Sequence, residues 1–315
     1  MTVVRSRLHQ LLLSGEFVVT TEMPTSDSAD PASTLGIARG LLGRVDAVNC
    51  TDNSAAHPHL AGLAAAHLVL DAGLEPILQF TCRDRNRLAL QADLLGAAAL
   101  GVRNVCLMTG DDVSAGDHPD ANPIYDIDSI QLLRTARIMR DGGTYLSGRP
   151  LDTPPSFLIG AVENPFAPPL EFRPMRLGKK IEAGAEFVQT QICFDVPRLR
   201  LFLARARDLG LLGAAPILVG IFVPKTARGA RYLRDQVPGI DLPDEVIARM
   251  DTAPPERQRD VGVHIAVEIV QEIRALEGVR GVHLMAIHNE EGIHRVLEEA
   301  GLLPRPEPVG TVAVG

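Results

Sequence analysis

The side chains that could do chemistry in this sequence follow short runs of Val, Ile and Leu. Glu22 comes directly after the apolar run 17–21, so its carboxyl is placed where a buried segment ends. A carboxyl partly removed from water has a raised pKa and is suited to donate a proton near neutral pH. A salt-bridged residue at the rim of a site would give the same pattern, so the spacing alone leaves both interpretations of Glu22 open.

Other polar residues occupy the same kind of position, each at the end of a β-rich run. They are Thr51, Asp52, Gln79, Thr109, Gly110, Asp111, Glu163, Asn164, Gln191, Lys225, His288 and Asn289. If the runs are parallel strands, these residues meet at the carboxyl ends of the strands, where barrel enzymes have their active sites. The set is typical of an enzyme that acts on a small polar substrate.

Eight runs have the Val/Ile/Leu-rich composition of strands that are covered by helices. The predicted strands are Phe17–Glu22, Val45–Cys50, Glu75–Thr81, Asn104–Thr109, Ser156–Glu163, Phe187–Ile192, Pro216–Phe222 and Gly281–Ile287. Segments between them carry apolar residues at three- and four-residue spacing and are predicted helices: Pro31–Leu42, His57–Ala72, Arg85–Leu100, Asp128–Asp141, Arg173–Ala183, Val196–Leu209 and Thr226–Gln236. Asp84 and Asp195 supply start signals for the third and sixth of these helices. The alternation predicts an α/β fold, a (β/α)8 TIM barrel.

The chain has 315 residues, which is enough for two ordinary domains or for one large barrel. No linker or internal repeat interrupts it, so residues 1–303 are predicted to be a single catalytic barrel and residues 304–315 a loose tail. Two segments exceed minimal connections: the polar loop Asp111–Ile127, and Asp241–Gly278, which adds helices between strands seven and eight. Met1–Ser14 has no apolar core ending in a cleavage site and is predicted to be an amphipathic helix rather than a signal peptide.

Composition and charge exclude several classes of protein. Hydrophobic residues make up 46% of the chain and charged residues 22%, which is close to the globular average and unlike a disordered chain. The net charge of −8 argues against a nucleic-acid partner, because binding to phosphates rewards clustered Lys and Arg. No apolar run approaches the roughly 18 residues of a membrane span. We therefore expect a cytoplasmic protein with neither a nucleic-acid nor a membrane partner.

Metal and redox motifs are weak in this sequence. The four cysteines are far apart and form no C-x-x-C pair, so buried, reduced thiols are expected at Cys50, Cys82, Cys106 and Cys193. His57-Pro58-His59 resembles a metal pair but lacks further ligands, so we expect no metal site. The charged run 83–87 would usually be a solvated face, although its position after the third strand also allows part of it to line the site.

Five motifs and segments follow one another along the chain, and together they identify a protein family far more specifically than any one of them would. They are Thr21-Glu22-Met23-Pro24, Phe80-Thr81-Cys82-Arg83-Asp84-Arg85-Asn86, Leu107-Met108-Thr109-Gly110-Asp111, Gly160-Ala161-Val162-Glu163-Asn164-Pro165 and the segment from Lys180 to Gln191. On these residues, from about Gly15 to Leu303, the chain resembles a methylenetetrahydrofolate reductase. Its TCRDRN and TGD segments are similar to the branch found in acetogens and in fusions with homocysteine methyltransferases.

The resemblance implies a barrel with a flavin, FAD or FMN, at its mouth. NADH or NADPH and then methylenetetrahydrofolate would use the same face in turn. Glu22 would be the general acid that helps to open the five-membered ring of the folate, Asp111 would lie near the pterin and the flavin, and Gln191 would bind the pterin. The flavin-binding positions would be Thr51, Gln79, Thr109, Gly110, Asn164 and Lys180.

The chain departs from some relatives at positions that contact the flavin or the substrate. Those relatives carry an arginine at the position of Thr109, a histidine at that of Gln79, an aspartate at that of Arg173 and a phenylalanine near that of Ala227. These departures leave open a variant without flavin, in which hydride passes directly from the nicotinamide to the folate.

Two other functions stay open at this point. One is a pterin-dependent methyltransferase barrel, and the other is a barrel subunit of a larger methyl-transfer complex. Glu22 favours the reductase, because transfer of a methyl group from the folate N5 has no ring to open. A homo-oligomer or a partner subunit is also left open.

Overall fold

The computed structural model describes residues 3–237 and 239–307. Within these ranges eight parallel strands form a closed barrel in chain order, with the last strand paired to the first. The strands are β1 Val18–Glu22, β2 Ala47–Cys50, β3 Pro76–Thr81, β4 Asn104–Met108, β5 Leu158–Glu163, β6 Phe187–Ile192, β7 Ile217–Phe222 and β8 Val279–Met285. The predicted (β/α)8 TIM barrel is confirmed, with every predicted strand present and its ends shifted by only one or two residues.

Helices follow every strand and form the outer layer of the barrel. They are α1 Arg7–Leu13, α2 Ala32–Leu41, α3 Gly62–Asp71, α4 Arg87–Ala99, α5 Ser129–Arg137, α6 Phe172–Ala183, α7 Val196–Asp208, α8 Ala227–Gln236, α9 Asp244–Asp251, α10 Gln258–Ile273 and α11 Glu290–Glu299. The extra helices predicted between strands seven and eight are α9 and α10, whereas α11 is absent from the predicted set. No helix of the described ranges is long and apolar enough to cross a membrane.

The amino-terminal helix α1 closes the bottom of the barrel. Leu8, Leu11 and Leu12 form a separate core cluster with the lowest layer of inward side chains, among them Phe187. Ser6 begins the helix by accepting a hydrogen bond from the His9 backbone N–H at 3.0 Å. The predicted amphipathic helix is therefore present but shorter than Met1–Ser14, and residues 1–2 lie outside the described residues.

Two predicted helices begin later in the chain than expected. The predicted helix His57–Ala72 begins only at Gly62, since residues 54–61 form a short 3-10 turn and an extended segment over the strand ends. Helix α4 begins after Asn86, whose side-chain oxygen accepts from the backbone N–H groups of residues 88 and 89. Asp84, the predicted start signal, instead pairs with Arg83. Asp195 does begin α7 as predicted.

The start of the carboxyl-terminal tail is held against the bottom of the barrel. Arg305 donates hydrogen bonds to the buried carboxylate of Asp46 and to the backbone oxygens of Phe17 and Leu302. The prediction of a loose tail from residue 304 therefore does not hold for Arg305, because this ion pair is nearly fully buried. Residues 308–315 lie outside the described residues.

Candidate active site

The carboxyl ends of the strands surround a cavity of about 380 Å³, which we call the mouth cavity. Its lining includes the residues to which the resemblance assigns catalysis or binding: Glu22, Thr51, Gln79, Thr109, Gly110, Asp111, Asn164, Lys180 and Gln191. It also includes two further predicted strand-end residues, Asp52 and Glu163, and side chains that the sequence did not assign a role: Arg83, Arg173, Arg176, Gln189, His283 and Met285. The predicted site residues therefore come together at one end of the barrel.

Glu22 ends β1, and its carboxyl lies beside a histidine of the neighbouring strand. The Glu22 side chain is 36% exposed, and its Oε1 lies 3.7 Å from Nε2 of His283. His283 is itself buried, and its Nδ1 lies 2.9 Å from the hydroxyl of Thr20. One carboxyl oxygen of Glu22 therefore lies near the buried imidazole, just beyond hydrogen-bond distance.

A buried hydrogen-bond network lies below Glu22, inside the barrel. The side-chain amides of Asn49 and Gln189 bond to each other in both directions, at 2.7 and 3.0 Å. The Gln189 Nε2 also lies 3.2 Å from the Thr20 hydroxyl and 3.3 Å from Nδ1 of His283. Side chains of a strand alternate between its two faces, so Thr20, Asn49 and Gln189 point inward two residues before the strand-end residues 22, 51 and 191. This two-residue spacing is the sequence signal that could have identified them.

Two glutamines offer free amide groups to the mouth cavity. Gln79 is 8% exposed, and its side chain has no hydrogen-bond partner in the part of the chain that the structure describes. Gln191 accepts a hydrogen bond from the backbone N–H of Ile192 at 2.9 Å, while its Nε2 has no partner among the described residues. A side-chain amide both donates and accepts hydrogen bonds, so each glutamine can pair with the amide-like edge of a heterocycle.

Lys180 reaches the cavity from α6 and is already paired. Its Nζ donates to Glu163 Oε2 at 2.8 Å and to the backbone oxygen of Val162. Burial lowers the pKa of Lys180, and the Glu163 carboxylate opposes that shift. Its ammonium group is therefore held mainly by the protein itself.

Two arginines precede Lys180 on the same helix. Arg173 donates to the backbone oxygens of residues 167 and 168, both at 2.7 Å. Arg176 is half-buried at the cavity and has neither a hydrogen bond nor an ion pair within the described ranges. Asn164 turns its amide away, because its Nδ2 donates to Gly239 and its Oδ1 accepts from the backbone of Phe166. Among the described residues, Arg176 is thus the cation of this wall that has no protein partner.

Arg83 ties together the loops after β2, β3 and β4. It is 2% exposed, pairs with Asp84 and donates to the backbone oxygens of Asn53 and Asp111 at 3.0 and 3.2 Å. The interpretation of the run 83–87 as a solvated face is therefore wrong for Arg83. The Asp111 carboxylate is exposed and accepts from the backbone N–H of Ala55 at 3.0 Å.

The remaining residues of the predicted mouth connect loops to each other. Asp52 accepts from the backbone N–H and the hydroxyl of Thr81 and pairs with Arg85. Lys225 Nζ donates to the backbone oxygen of His288 at 2.8 Å, and the buried Asn289 donates to that of residue 223. Lys225, His288 and Asn289 do not line the mouth cavity.

A second cavity of about 520 Å³ adjoins the first, and we call it the side compartment. It lies between the ends of β1 and β8 and the helices α2 and α11. Its lining includes Thr21, Glu22, Met23, Pro24, Thr25, Ser33, Ile37, Gly40, Leu41, Thr51, Ser54, Ala286, Ile287, His288, Glu290, Ile293 and His294. Glu22, Thr51 and Ser54 line both cavities, so the acid stands at their junction.

The two histidines of the segment 57–59 each lie beside a different aspartate. His59 Nδ1 lies 2.6 Å from Asp27, and His57 Nδ1 lies 3.5 Å from Asp117. In the described ranges no group of three or more His, Cys, Asp or Glu residues is arranged to hold a metal. All four cysteines are buried as predicted and unpaired.

Comparison with known proteins identifies the family of the chain. The sequence profile of the family described as methylenetetrahydrofolate reductase matches residues 7–301. The chain belongs to this family. Methylenetetrahydrofolate reductase 2 of Schizosaccharomyces pombe is 25% identical over 244 residues, which are 72% of this chain and 36% of that protein. A probable methylenetetrahydrofolate reductase (NADPH) of Caenorhabditis elegans is 26% identical over 247 residues, 76% of this chain and 34% of that protein. This methylenetetrahydrofolate reductase family member thus spans about a third of the length of these curated relatives.

A solved structure shares the fold at low sequence identity. It is an uncharacterized protein from Clostridium thermocellum, described as binding two copies of 5-methyl-5,6,7,8-tetrahydrofolic acid. Its TM-score is 0.65 and its identity 13%, and the match covers 94% of this chain and 99% of that one. At 13% identity, this similarity supports only the barrel fold of the chain.

Proposed function

We propose that this protein reduces 5,10-methylenetetrahydrofolate to 5-methyltetrahydrofolate with a hydride from NADH or NADPH. The observation that carries the proposal is the position of Glu22, a carboxyl at the junction of two cavities with the buried His283 beside it. Family membership supports the substrate class, and the free amides of Gln79 and Gln191 support recognition of a heterocycle in the mouth cavity.

Glu22 would act as the general acid. In the substrate the methylene carbon bridges N5 and N10 in a five-membered ring. Glu22 gives its proton to N10 as the bond from N10 to the methylene carbon breaks, which leaves an iminium ion at N5. A hydride then adds to that carbon and gives the N5-methyl product. Proton donation in such a step contributes about 10²–10⁴ to the rate.

His283 would position the Glu22 carboxyl. Its Nδ1 lies 2.9 Å from the hydroxyl of Thr20, which itself accepts from the Gln189 amide, so we assign the hydroxyl as donor to Nδ1 and leave Nε2 to carry the hydrogen toward Glu22. A closer approach of the carboxyl, from the 3.7 Å seen here, would let this N–H hold one carboxyl oxygen and leave the other oxygen to carry the proton to the substrate. The same N–H then stabilises the carboxylate that forms when the proton leaves.

Gln191 and Asp111 would hold the pterin. The Gln191 amide has an unpaired donor at the cavity among the described residues, and the exposed Asp111 carboxylate is an acceptor on the loop after β4. A pterin ring presents ring N–H and amino donors beside a carbonyl acceptor, so it can pair with both residues. These contacts would fix the ring with its N10 side toward Glu22.

The residues at the mouth do not fit a tightly held flavin. The Lys180 ammonium is bound to Glu163, and the Asn164 amide is bound to the loop at Gly239. Thr109 is uncharged, so the position where relatives carry an arginine has no cation here. We therefore infer direct hydride transfer from the nicotinamide.

Arg176 would bind a phosphate of the nicotinamide nucleotide. It is the arginine of α6 without a partner in the described part of the chain, and a guanidinium group binds phosphate oxygens in a planar, bidentate geometry. With the phosphates held at this wall, the nicotinamide would occupy the mouth cavity beside the pterin. Gln79, which is buried and unpaired at the same cavity, would then be placed to bond its carboxamide.

A kinetic assay tests the proposed function. The purified chain should oxidise NADH or NADPH only when methylenetetrahydrofolate is added, and should form an equal amount of 5-methyltetrahydrofolate. The Arg176→Met variant should raise the KM for the nucleotide, while Arg134→Met, which removes an exposed arginine of α5 outside the cavity, should not. Absence of methyltetrahydrofolate from the wild-type reaction would contradict the proposal.

A further inference from the structure

A cavity of about 530 Å³ lies at the opposite end of the barrel from the candidate active site, and we call it the base cavity. It is formed by the end of α1 and by the residues that lead into β6, β7 and β8. Its volume is within the range of small-molecule sites, about 300–1,000 Å³. Barrel enzymes carry out their chemistry at the carboxyl ends of the strands, so the base cavity has no role in the proposed reaction.

His9 of α1 presents an unpaired donor to the base cavity. The residue is 7% exposed and lines the cavity, and its Nδ1 accepts a hydrogen bond from the backbone N–H of Arg5 at 3.2 Å. Because a backbone nitrogen only donates, the ring hydrogen is on Nε2, which has no hydrogen-bond partner among the described residues. Burial lowers the pKa of His9, so the ring is mainly neutral near pH 7 although the nearby Glu186 opposes this shift. A ligand acceptor would satisfy this buried N–H.

Charged groups of both signs line the same cavity at the start of β8. Arg280 is exposed, donates to the backbone oxygen of the preceding residue at 3.3 Å, and has no carboxylate partner in the described ranges. Glu277 is also exposed, and its ion pair with Arg207 is long, at 3.9 Å. One guanidinium and one carboxylate are therefore available to a ligand.

The remaining wall of the base cavity includes an apolar surface. Leu12, Leu212 and Pro216 belong to it. Glu186 lines the cavity as well, but its carboxylate already pairs with Arg140 and accepts from a backbone N–H of β5, so its charge is compensated by the protein. The groups left for a ligand are thus one cation, one anion and one neutral donor beside apolar side chains.

We infer that the base cavity binds a zwitterionic α-amino acid with an apolar side chain. This second ligand site goes beyond the proposed function and does not depend on it. The α-carboxylate accepts from Arg280 and from Nε2 of His9, the α-ammonium group pairs with Glu277, and the side chain packs on Leu12 and Leu212. A simple anion would leave Glu277 beside a like charge, and a simple cation would do the same to Arg280, so a ligand with both charges fits best.

Binding can be measured on the purified chain without either substrate of the reductase. Of L-leucine, L-methionine and L-phenylalanine, at least one should bind in saturation-transfer NMR with a Kd below about 1 mM. It should also raise the thermal unfolding midpoint in a concentration-dependent way, because it binds the folded state. Analogues that lack only the ammonium group or only the carboxylate should bind at least about tenfold more weakly. For leucine these are 4-methylpentanoate and 3-methylbutylamine.

Three variants locate the binding site. Arg280→Gln should weaken binding of the amino acid at least about tenfold, since the carboxylate loses its cation. Arg228→Gln removes an exposed arginine of α8 outside the base cavity and should leave binding unchanged. Ala214→Phe fills the cavity from an exposed position of its wall and should abolish binding. All three variants should unfold near the wild-type midpoint in the absence of amino acid.

The contrary outcomes are equally distinct. Failure of all three amino acids to bind the wild type would overturn the inference. Equal affinity for the analogue without the ammonium group would also overturn it, because the cavity would then take a simple carboxylate. Unchanged binding in Arg280→Gln and Ala214→Phe would place the amino acid elsewhere on the protein. None of these measurements needs turnover, so failure of the proposed function would be seen separately, in the kinetic assay.

Discussion

At the scale of single residues, the candidate site depends on a chain of contacts below one carboxyl. Asn49 and Gln189 fix each other, Gln189 and Thr20 fix the orientation of His283, and His283 faces Glu22. Buried polar groups cost free energy unless they are paired, so a network this complete inside a barrel core is expected to be rigid. The substrate would therefore meet an acid whose direction is set before binding.

The Glu22→Gln variant tests the acid itself. An amide keeps the shape of the side chain but cannot donate a proton to N10, so folate reduction should fall by at least about 100-fold. Binding of the nucleotide, measured by its fluorescence, should survive, because no phosphate contact is lost. Full activity in this variant would show that Glu22 is not the general acid.

The His283→Phe variant tests positioning through a double-mutant cycle. Loss of the N–H that orients the carboxyl should lower kcat by about tenfold and leave the KM of both substrates near the wild-type values. In a Glu22→Gln background the same change should have no further effect, since no acid remains to be oriented. Equal losses in both backgrounds would mean that His283 acts only on the stability of the fold.

The cysteines give a prediction that depends on pH. Burial raises the pKa of Cys50, Cys82 and Cys106 to about 12. The reactive thiolates should therefore be absent from the folded protein between about pH 7 and about pH 9, where unfolded thiols ionise. A thiol reagent such as DTNB should label none of them natively at either pH and all of them in denaturant. Rapid native labelling that rises with pH would contradict this burial.

At the scale of elements, the strands could be predicted because each one is an apolar run with a polar end. The residues at those ends, Glu22 and Gln191 among them, follow from the barrel alone. The inward network two residues earlier was missed, because Thr20 and Gln189 look like ordinary interruptions of an apolar strand. The burial of Arg83 could not be predicted either, since its partners are backbone oxygens of two distant loops.

The close contact between β5 and β6 gives a stability prediction at the element scale. A Cβ added at Gly160 would collide with the ring of Phe187, which fills the bottom of the barrel. Gly160→Ala should therefore destabilise the protein by about 1–3 kcal/mol or more. Gly36→Ala, in the open space on α2, should instead stabilise it by up to about 1 kcal/mol. Thermal or denaturant unfolding compares the two, and equal effects would contradict the packing described here.

At the scale of the whole molecule, the proposed direct transfer requires both substrates to be bound at the strand ends at the same time. Such a protein needs no intermediate carrier of the hydride. The purified protein should therefore lack the visible absorption of a flavin, and added FAD or FMN should not raise its activity. A coloured protein whose activity is lost with its flavin would contradict direct transfer and leave the role of Glu22 to be tested separately.

The most direct test of the central claim follows the hydride itself. NADH or NADPH carrying two deuterium atoms at C4 of the nicotinamide is mixed with methylenetetrahydrofolate, and the methyl group of the product is analysed by mass spectrometry. Direct transfer predicts one deuterium in every methyl group formed. A methyl group that contains only protium would mean that the hydride passed through a carrier whose hydrogen exchanges with water, and it would contradict the account.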